Sequence, residues 1–161
     1  MTKGKKPSES YVGKSVRAKE ARAPLIGKAK YTNDYSFEGQ LYAYILRSPH
    51  AAAKINSVDL SGAKKISGVH LALCGRDVFE HTNGITDHLN PAIFGGKSTR
   101  LPMMAVDEAW CYGQPVAIVI AEDERTARYA ASRIQVDYTP KEPVVDAEKA
   151  IAKGARSVVP E

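Results

Sequence analysis

Cys74, Asp77, Glu80, His81, Asp87 and His88 fall within fifteen residues, the densest grouping of metal-capable side chains in the chain. A zinc ion would need three or four of them to converge on a tetrahedron. Their spacing matches no short metal motif, and His81 and His88 are seven apart in a stretch with no period to fix their geometry. A solvated loop accounts for them better. Gly96-Lys97-Ser98 is reminiscent of the end of a phosphate-binding loop. That loop needs a glycine five positions before its second glycine, so that backbone N–H groups aim at phosphate, and the position is Pro91. The polar stretch before it and Pro102 after it also deny it the flanking strand and helix.

Glu122, Asp123 and Glu124 form an acidic run, but its place at the start of a helical pattern explains it through capping and the helix dipole. No Gly-x-Ser-x-Gly motif is present, and nothing sets a Ser or Cys beside a base. Arg47-Ser48-Pro49-His50 closes an apolar strand, where functional side chains often sit. The simpler reading has Arg47 and Ser48 satisfying backbone groups and His50 at a domain or subunit contact. The residues thus describe no active site, and an independent small enzyme is disfavoured.

The elements that would position these groups are legible in part. Leu41–Leu46 is a continuous apolar run of strand length and aromatic content, expected to be buried on both faces and ended by Pro49. Residues 54–59 suggest a second strand. Residues 61–67 suggest a short helix capped by Asp59 or Ser61 and stopped by Gly68. Val69, Leu71 and Leu73 alternate with His70, Ala72 and Cys74, as in a half-buried strand. Gly75–Leu101 is expected to be a long irregular loop, and a stretch of that length is a candidate ligand loop.

The clearest unit follows. Val116–Ala121 is wholly apolar and rich in β-branched residues. Asp123 can cap the next element, and Ala127, Ala130, Ala131 and Ile134 share one helical face, with Arg125, Arg128 and Ser132 off it. Ile134, Val136 and Tyr138 then alternate as a strand up to Pro140. If the two strands were parallel neighbours, the crossover would be right-handed. A last short helix is expected over 146–152.

The chain has 161 residues, a length that suits one domain with a loose tail. Three of its five net positive charges are Lys3, Lys5 and Lys6, so the remainder is only mildly basic, and no nucleic-acid partner is expected. Two isolated cysteines fit a reducing compartment. No run approaches a membrane span and no signal-peptide pattern is present, so a cytoplasmic location without membrane association is expected.

Taken in order, the segments resemble a known family. Gly27-x-Ala29-x-Tyr31-Thr32-x-Asp34 precedes Arg47-Ser48-Pro49-His50-Ala51. Ile55-x-x-Val58-Asp59 and Gly68-Val69 come next. Gly113-Gln114-Pro115-Val116-Ala117, Ala121-Glu122-Asp123, Val136-Asp137-Tyr138-x-Pro140 and Pro143-Val144-Val145-Asp146 complete the series. This order resembles the N-terminal α/β hammerhead domain of the molybdenum hydroxylase large subunit, the xanthine dehydrogenase, aldehyde oxidase and carbon monoxide dehydrogenase family. The resemblance runs from about Val12 to about Ala152. Two positions depart from the family pattern: Ala52 stands where a second histidine is common, and Trp110-Cys111-Tyr112 precedes Gly113 in place of a small aliphatic residue.

The resemblance implies an α+β fold, a single hammerhead domain with a mixed β-sheet and a few packed helices over 11–152. Residues 1–10 would be a flexible basic tail, and 153–161 an extension toward cofactor-binding domains that this chain lacks. It implies an oxidoreductase holoenzyme that hydroxylates aldehydes, heterocycles or carbon monoxide with molybdopterin (Mo), iron–sulfur clusters and FAD, none of them bound by this chain. The expected partners are the remaining molybdenum-binding part of the large subunit and the iron–sulfur and flavin subunits. No catalytic, cofactor-binding or metal residue carries over. The candidate domain-interface residues are Arg47, Ser48, Pro49, His50, Gly113, Gln114 and Pro115. A docking surface on Tyr42, Tyr44, Leu101–Met104 and Trp110 is expected with them. The competing reading is a free-standing binding module that keeps this fold and holds a ligand in the 75–101 loop.

Overall fold

Strand-forming segments in this chain are short and separated by glycine and proline, and in the computed structural model they pair into two small sheets. The structure describes residues 10–82 and 102–158. Two units are distinguished, Met1–Gly39 and Gln40–Glu161. The first holds one helical turn, α1 (Arg22–Leu25), and a 3-10 turn over Thr32–Asp34. The Tyr31 N–H donates to the Asp34 carboxylate at 2.8 Å, which closes that turn.

The second unit holds β1 (Tyr42–Arg47), β2 (Ala53–Asp59), α2 (Ser61–Lys64), β3 (Val69–Cys74), α3 (Gly75–His81), β4 (Glu108–Ala109), β5 (Pro115–Ala121), α4 (Glu124–Ala131), β6 (Gln135–Pro140) and α5 (Ala147–Ala150). The mixed sheet expected from the sequence takes the form of two three-stranded sheets, ordered β1-β5-β3 and β4-β2-β6. Every pairing among the described residues is antiparallel. β5 and β6, which flank α4, lie in different sheets, so the conditional right-handed parallel crossover does not arise.

α4 forms as its sequence dictates. The Asp123 carboxylate accepts from the Thr126 N–H at 2.9 Å and from the Thr126 hydroxyl at 2.6 Å. These two bonds, the hydroxyl's first, hold the Asp123 carboxyl below the usual carboxylate range. Ala127, Ala130 and Ala131 are buried completely or nearly so, as is Ile134 just past the helix. Ala130, Ala131 and Ile134 pack with Leu60, Ala63, Ala72, Ala117 and Val119 in the first core cluster. A second cluster joins Ile55, Ala105, Ala109 and Val116. Adjacent residues of β5, Val116 and Ala117, therefore enter different cores from opposite faces of one strand.

Three expectations need correction. β1 is not buried on both faces. It is an edge strand with alternating burial, so Tyr42, Tyr44 and Leu46 are half-buried while Ala43, Ile45 and Arg47 are exposed. In β3 the fully buried residue is Ala72, and Leu71 is 42% exposed. The inner face must meet the methyl-covered side of α4, so it takes the small residue, and a register shift between Val69 and Leu71 sets the phase. Thirdly, the stretch from Gly75 begins as a helix. The Asp77 carboxylate reaches back to the Cys74 N–H at 2.9 Å, as in a capping box. Residues 83–101, with the rest of the expected loop, lie outside the described residues.

Gly75 is required by packing rather than by backbone angle. A Cβ there would sit 1.9 Å from the Ala105 carbonyl oxygen. Glu108 ties the second sheet to the C-terminal segment by accepting from Lys141 Nζ and Arg156 Nη1, each at 2.6 Å. Burial raises the Glu108 carboxyl, but these two bonds outweigh it and hold it below its ordinary value of 4.5.

Two outcomes follow. G75A will lower stability by at least about 1–3 kcal/mol through overpacking, read as a lower urea midpoint; an unchanged midpoint would contradict the contact. Because the folded Glu108 carboxyl is depressed, its contribution is full above pH 4.5 and drains as pH falls through the folded value. E108Q will therefore cost on the order of 1 kcal/mol at neutral pH, and the difference from the unaltered chain will vanish in strong acid. A difference that persists there would mean packing, not charge, holds the segment.

Candidate functional site

The two motif groups at Arg47–His50 and Gly113–Pro115 are far apart in sequence and adjacent in space. β1 runs antiparallel to β5, with Arg47 opposite Pro115 after a register shift between Leu46 and Arg47. Pro115 has no N–H to give, and it stands at the first position of β5, where that loss is tolerated. Beyond it, Ser48 and the turn exchange backbone bonds. The Ser48 N–H donates to the Gln114 carbonyl at 2.9 Å, and the Gly113 N–H donates to the Ser48 carbonyl at 2.9 Å. Gly113 has φ +80°, a left-handed conformation that glycine takes without steric cost. Arg47 Nη1 donates to the Gly113 carbonyl at 2.8 Å. The Gln114 side-chain oxygen accepts from the Trp110 N–H at 2.6 Å, bracing the turn from its other side.

Ser48 is the one buried polar side chain among the described residues, at 2% exposure. Its hydroxyl donates to the His50 carbonyl and accepts from the His50 N–H, each at 3.1 Å, wrapping the chain around Pro49. The His50 ring meets Tyr138 edge-on, with centroids 5.0 Å apart. Burial pushes the Tyr138 phenol up, partly opposed by the neighbouring Ser48 side chain. Arg47, Ser48, His50, Gly113, Gln114 and Tyr138 therefore form one braced corner joining β1, β5 and β6. Tyr138 is not among the interface candidates read from the sequence; its signals there are its place in an alternating strand and in the Val136-Asp137-Tyr138-x-Pro140 motif. Ala52, at the family's second histidine position, is buried, and its carbonyl accepts from the Lys141 N–H at 2.9 Å.

The other candidates do not assemble. Among the described residues no three His, Cys, Asp or Glu side chains gather to hold a metal ion. Asp77 serves the α3 start, and His81 Nδ1 lies 2.8 Å from the Asp77 carbonyl within the same helix. Asp87, His88 and Gly96-Lys97-Ser98 lie outside the described residues. Of the acidic run, Asp123 caps α4, and Glu122 lies 3.6 Å from His70. An open cleft of about 930 Å³ lies beside them, lined by Tyr42, Arg125, Arg128 and Tyr129 among others. No described helix is long and apolar enough to cross a membrane.

Residues 26–142 match the family described as aldehyde oxidase and xanthine dehydrogenase, a/b hammerhead domain. The chain belongs to this family. The hammerhead chain is 33% identical to the nicotine 6-hydroxylase large subunit of Paenarthrobacter nicotinovorans over 91% of its own length and 18% of that protein's. It is 33% identical to the carbon monoxide dehydrogenase large chain of Afipia carboxidovorans, over 80% of this chain and 15% of the other. The crystal structure of quinoline 2-oxidoreductase from Pseudomonas putida 86 superposes with a TM-score of 0.78 at 34% identity, covering 91% of this chain and 18% of that one. The hammerhead chain therefore spans less than a fifth of the length of each of these relatives.

S48A will leave the His50 N–H without its partner and the Tyr138 hydroxyl without its neighbour. A loss of about 1–3 kcal/mol is expected. Thermal unfolding measures it, and an unshifted midpoint would show that the corner does not depend on the hydroxyl.

Proposed function

We propose that this chain is the structural, interface-forming hammerhead portion of the large subunit of a molybdopterin-dependent oxidoreductase. The observation that carries this is coverage. The chain matches its relatives along nearly its whole length, yet accounts for under a fifth of theirs. In the holoenzyme a molybdopterin-held metal would supply the hydroxylation chemistry, on an aldehyde, a heterocycle or carbon monoxide, with iron–sulfur clusters and FAD on companion subunits as electron acceptors. This chain's own residues supply position.

Residues 11–152 form the domain, and 153–161 lead toward the cofactor-binding portion. The braced corner at Arg47–His50 and Gly113–Pro115 presents the domain contact. Its suitability rests on rigidity: bonds from both backbone and side chains fix it, so it docks with little ordering cost.

Purification of the tagged chain from its native host tests the reading. A longer chain carrying the molybdenum-binding portion will co-purify in fixed ratio, with molybdenum at about one atom per complex. A chain that purifies alone and free of molybdenum would contradict the proposal and favour a free-standing module.

A further inference from the structure

The sheet β1-β5-β3 packs one face against α4, and its other face carries aliphatic side chains that are exposed toward both edge strands. Register identifies the outer side chains. Ala43 pairs with Ile120, which pairs with Leu71; Ile45 pairs with Ile118, which pairs with Leu73. All six are aliphatic. Ala43 is exposed, Ile45 is 36% exposed and Leu71 42%, while Ile118, Ile120 and Leu73 are half-buried. Val116, two residues before Ile118 on the same side of β5, lies wholly inside the second core. The open face thus continues a buried one.

An antiparallel sheet with a solvated face ordinarily alternates apolar and polar residues. Here the outer positions of three adjacent strands carry no polar side chain on either of these two rungs. The edge strand β1 also has no Lys, Pro or inward charge along Tyr42–Leu46, the usual protections of an exposed edge.

We infer that this outer face is the seat of the remainder of the large subunit, packed through an apolar surface of its own. The inference rests on the function proposed above. Two arguments select this occupant. Over four-fifths of the length of the relatives lies outside the matched region, so a large further polypeptide accompanies this domain in them. Three strands about 4.8 Å apart and six residues long present roughly 300 Å². Two copies meeting on this face alone would bury about 600 Å² in all, against roughly 1,200–2,000 Å² for a stable interface. A larger partner extending past the sheet onto the surrounding surface meets that need, with this face as its apolar centre.

Hydroxyl-radical footprinting of the complex and of the chain alone tests this without altering a residue. In the complex, oxidation of Ile45 and Leu71 will fall at least about fivefold, as expected for the dry centre of an interface. Val145 and Ile151, over 80% exposed and away from this sheet, will report on general changes. A complex that forms with Ile45 and Leu71 still reactive overturns the inference and leaves the proposed function standing. Failure to form any complex overturns both. Protection of the same residues in the chain alone, with doubled mass in solution, replaces the partner by a second copy and overturns the inference. As a second arm, L71D will lower the recovered complex at least about tenfold, the loss expected when a charge is buried unpaired. Complex recovered at the unaltered level would overturn the inference.

Discussion

The close seating of α4 on the sheet β1-β5-β3 is the contact on which the rest of the structure depends. Ala130 and Ala131 meet Ala72, Ala117 and Val119, together with Leu60 and Ile134. Methyl groups on both sides let backbones approach, and a larger side chain would have to displace the helix. Because β5 is the middle strand, this contact fixes β1 and β3 through it. The bulk excluded from the inner face goes to the outer one, where Ile118, Ile120, Leu71 and Leu73 sit. The pattern of small residues inside and large ones outside is costly for an isolated domain and economical for a domain that meets a partner.

The corner at Ser48 solves a separate problem. β1 must leave its sheet and β2 must begin another, within five residues. Such a crossing would strand backbone groups, since Pro49 breaks the ladder. Ser48 and the Gly113–Gln114 turn satisfy them reciprocally, and Arg47 ties down the Gly113 carbonyl. The result is a rigid joint between the two sheets, with His50 against Tyr138 on the second. Rigidity of this kind suits the positioning role proposed for this domain.

Much of this was legible in the amino-acid sequence because its signals are local. The Asp123 cap, the alanine face of α4 and the apolar run of β5 all formed as read. The motif order identified the family, and the same motifs turned out to be neighbours at the corner. What escaped was non-local. Nothing in the Leu41–Leu46 run tells an edge strand from a central one, because burial depends on what covers each face. In β3 side-chain size points to Leu71 for the core, while the close approach of the helix places Ala72 there. α3 was hidden by a cysteine at a position where Ser or Thr would have announced a cap. Glu108 and its two partners are brought together only by the tertiary fold.

The central claim is that this domain hides apolar surface by docking on a larger molybdenum-binding polypeptide. Calorimetric titration of the two, repeated at several temperatures, measures this directly through the heat-capacity change. Burying about 600 Å² of apolar surface, counted over both partners, predicts a change of about −0.3 kcal/mol/K or more negative. Association with a heat-capacity change near zero would mean that the partners meet through polar surface, and would contradict the account.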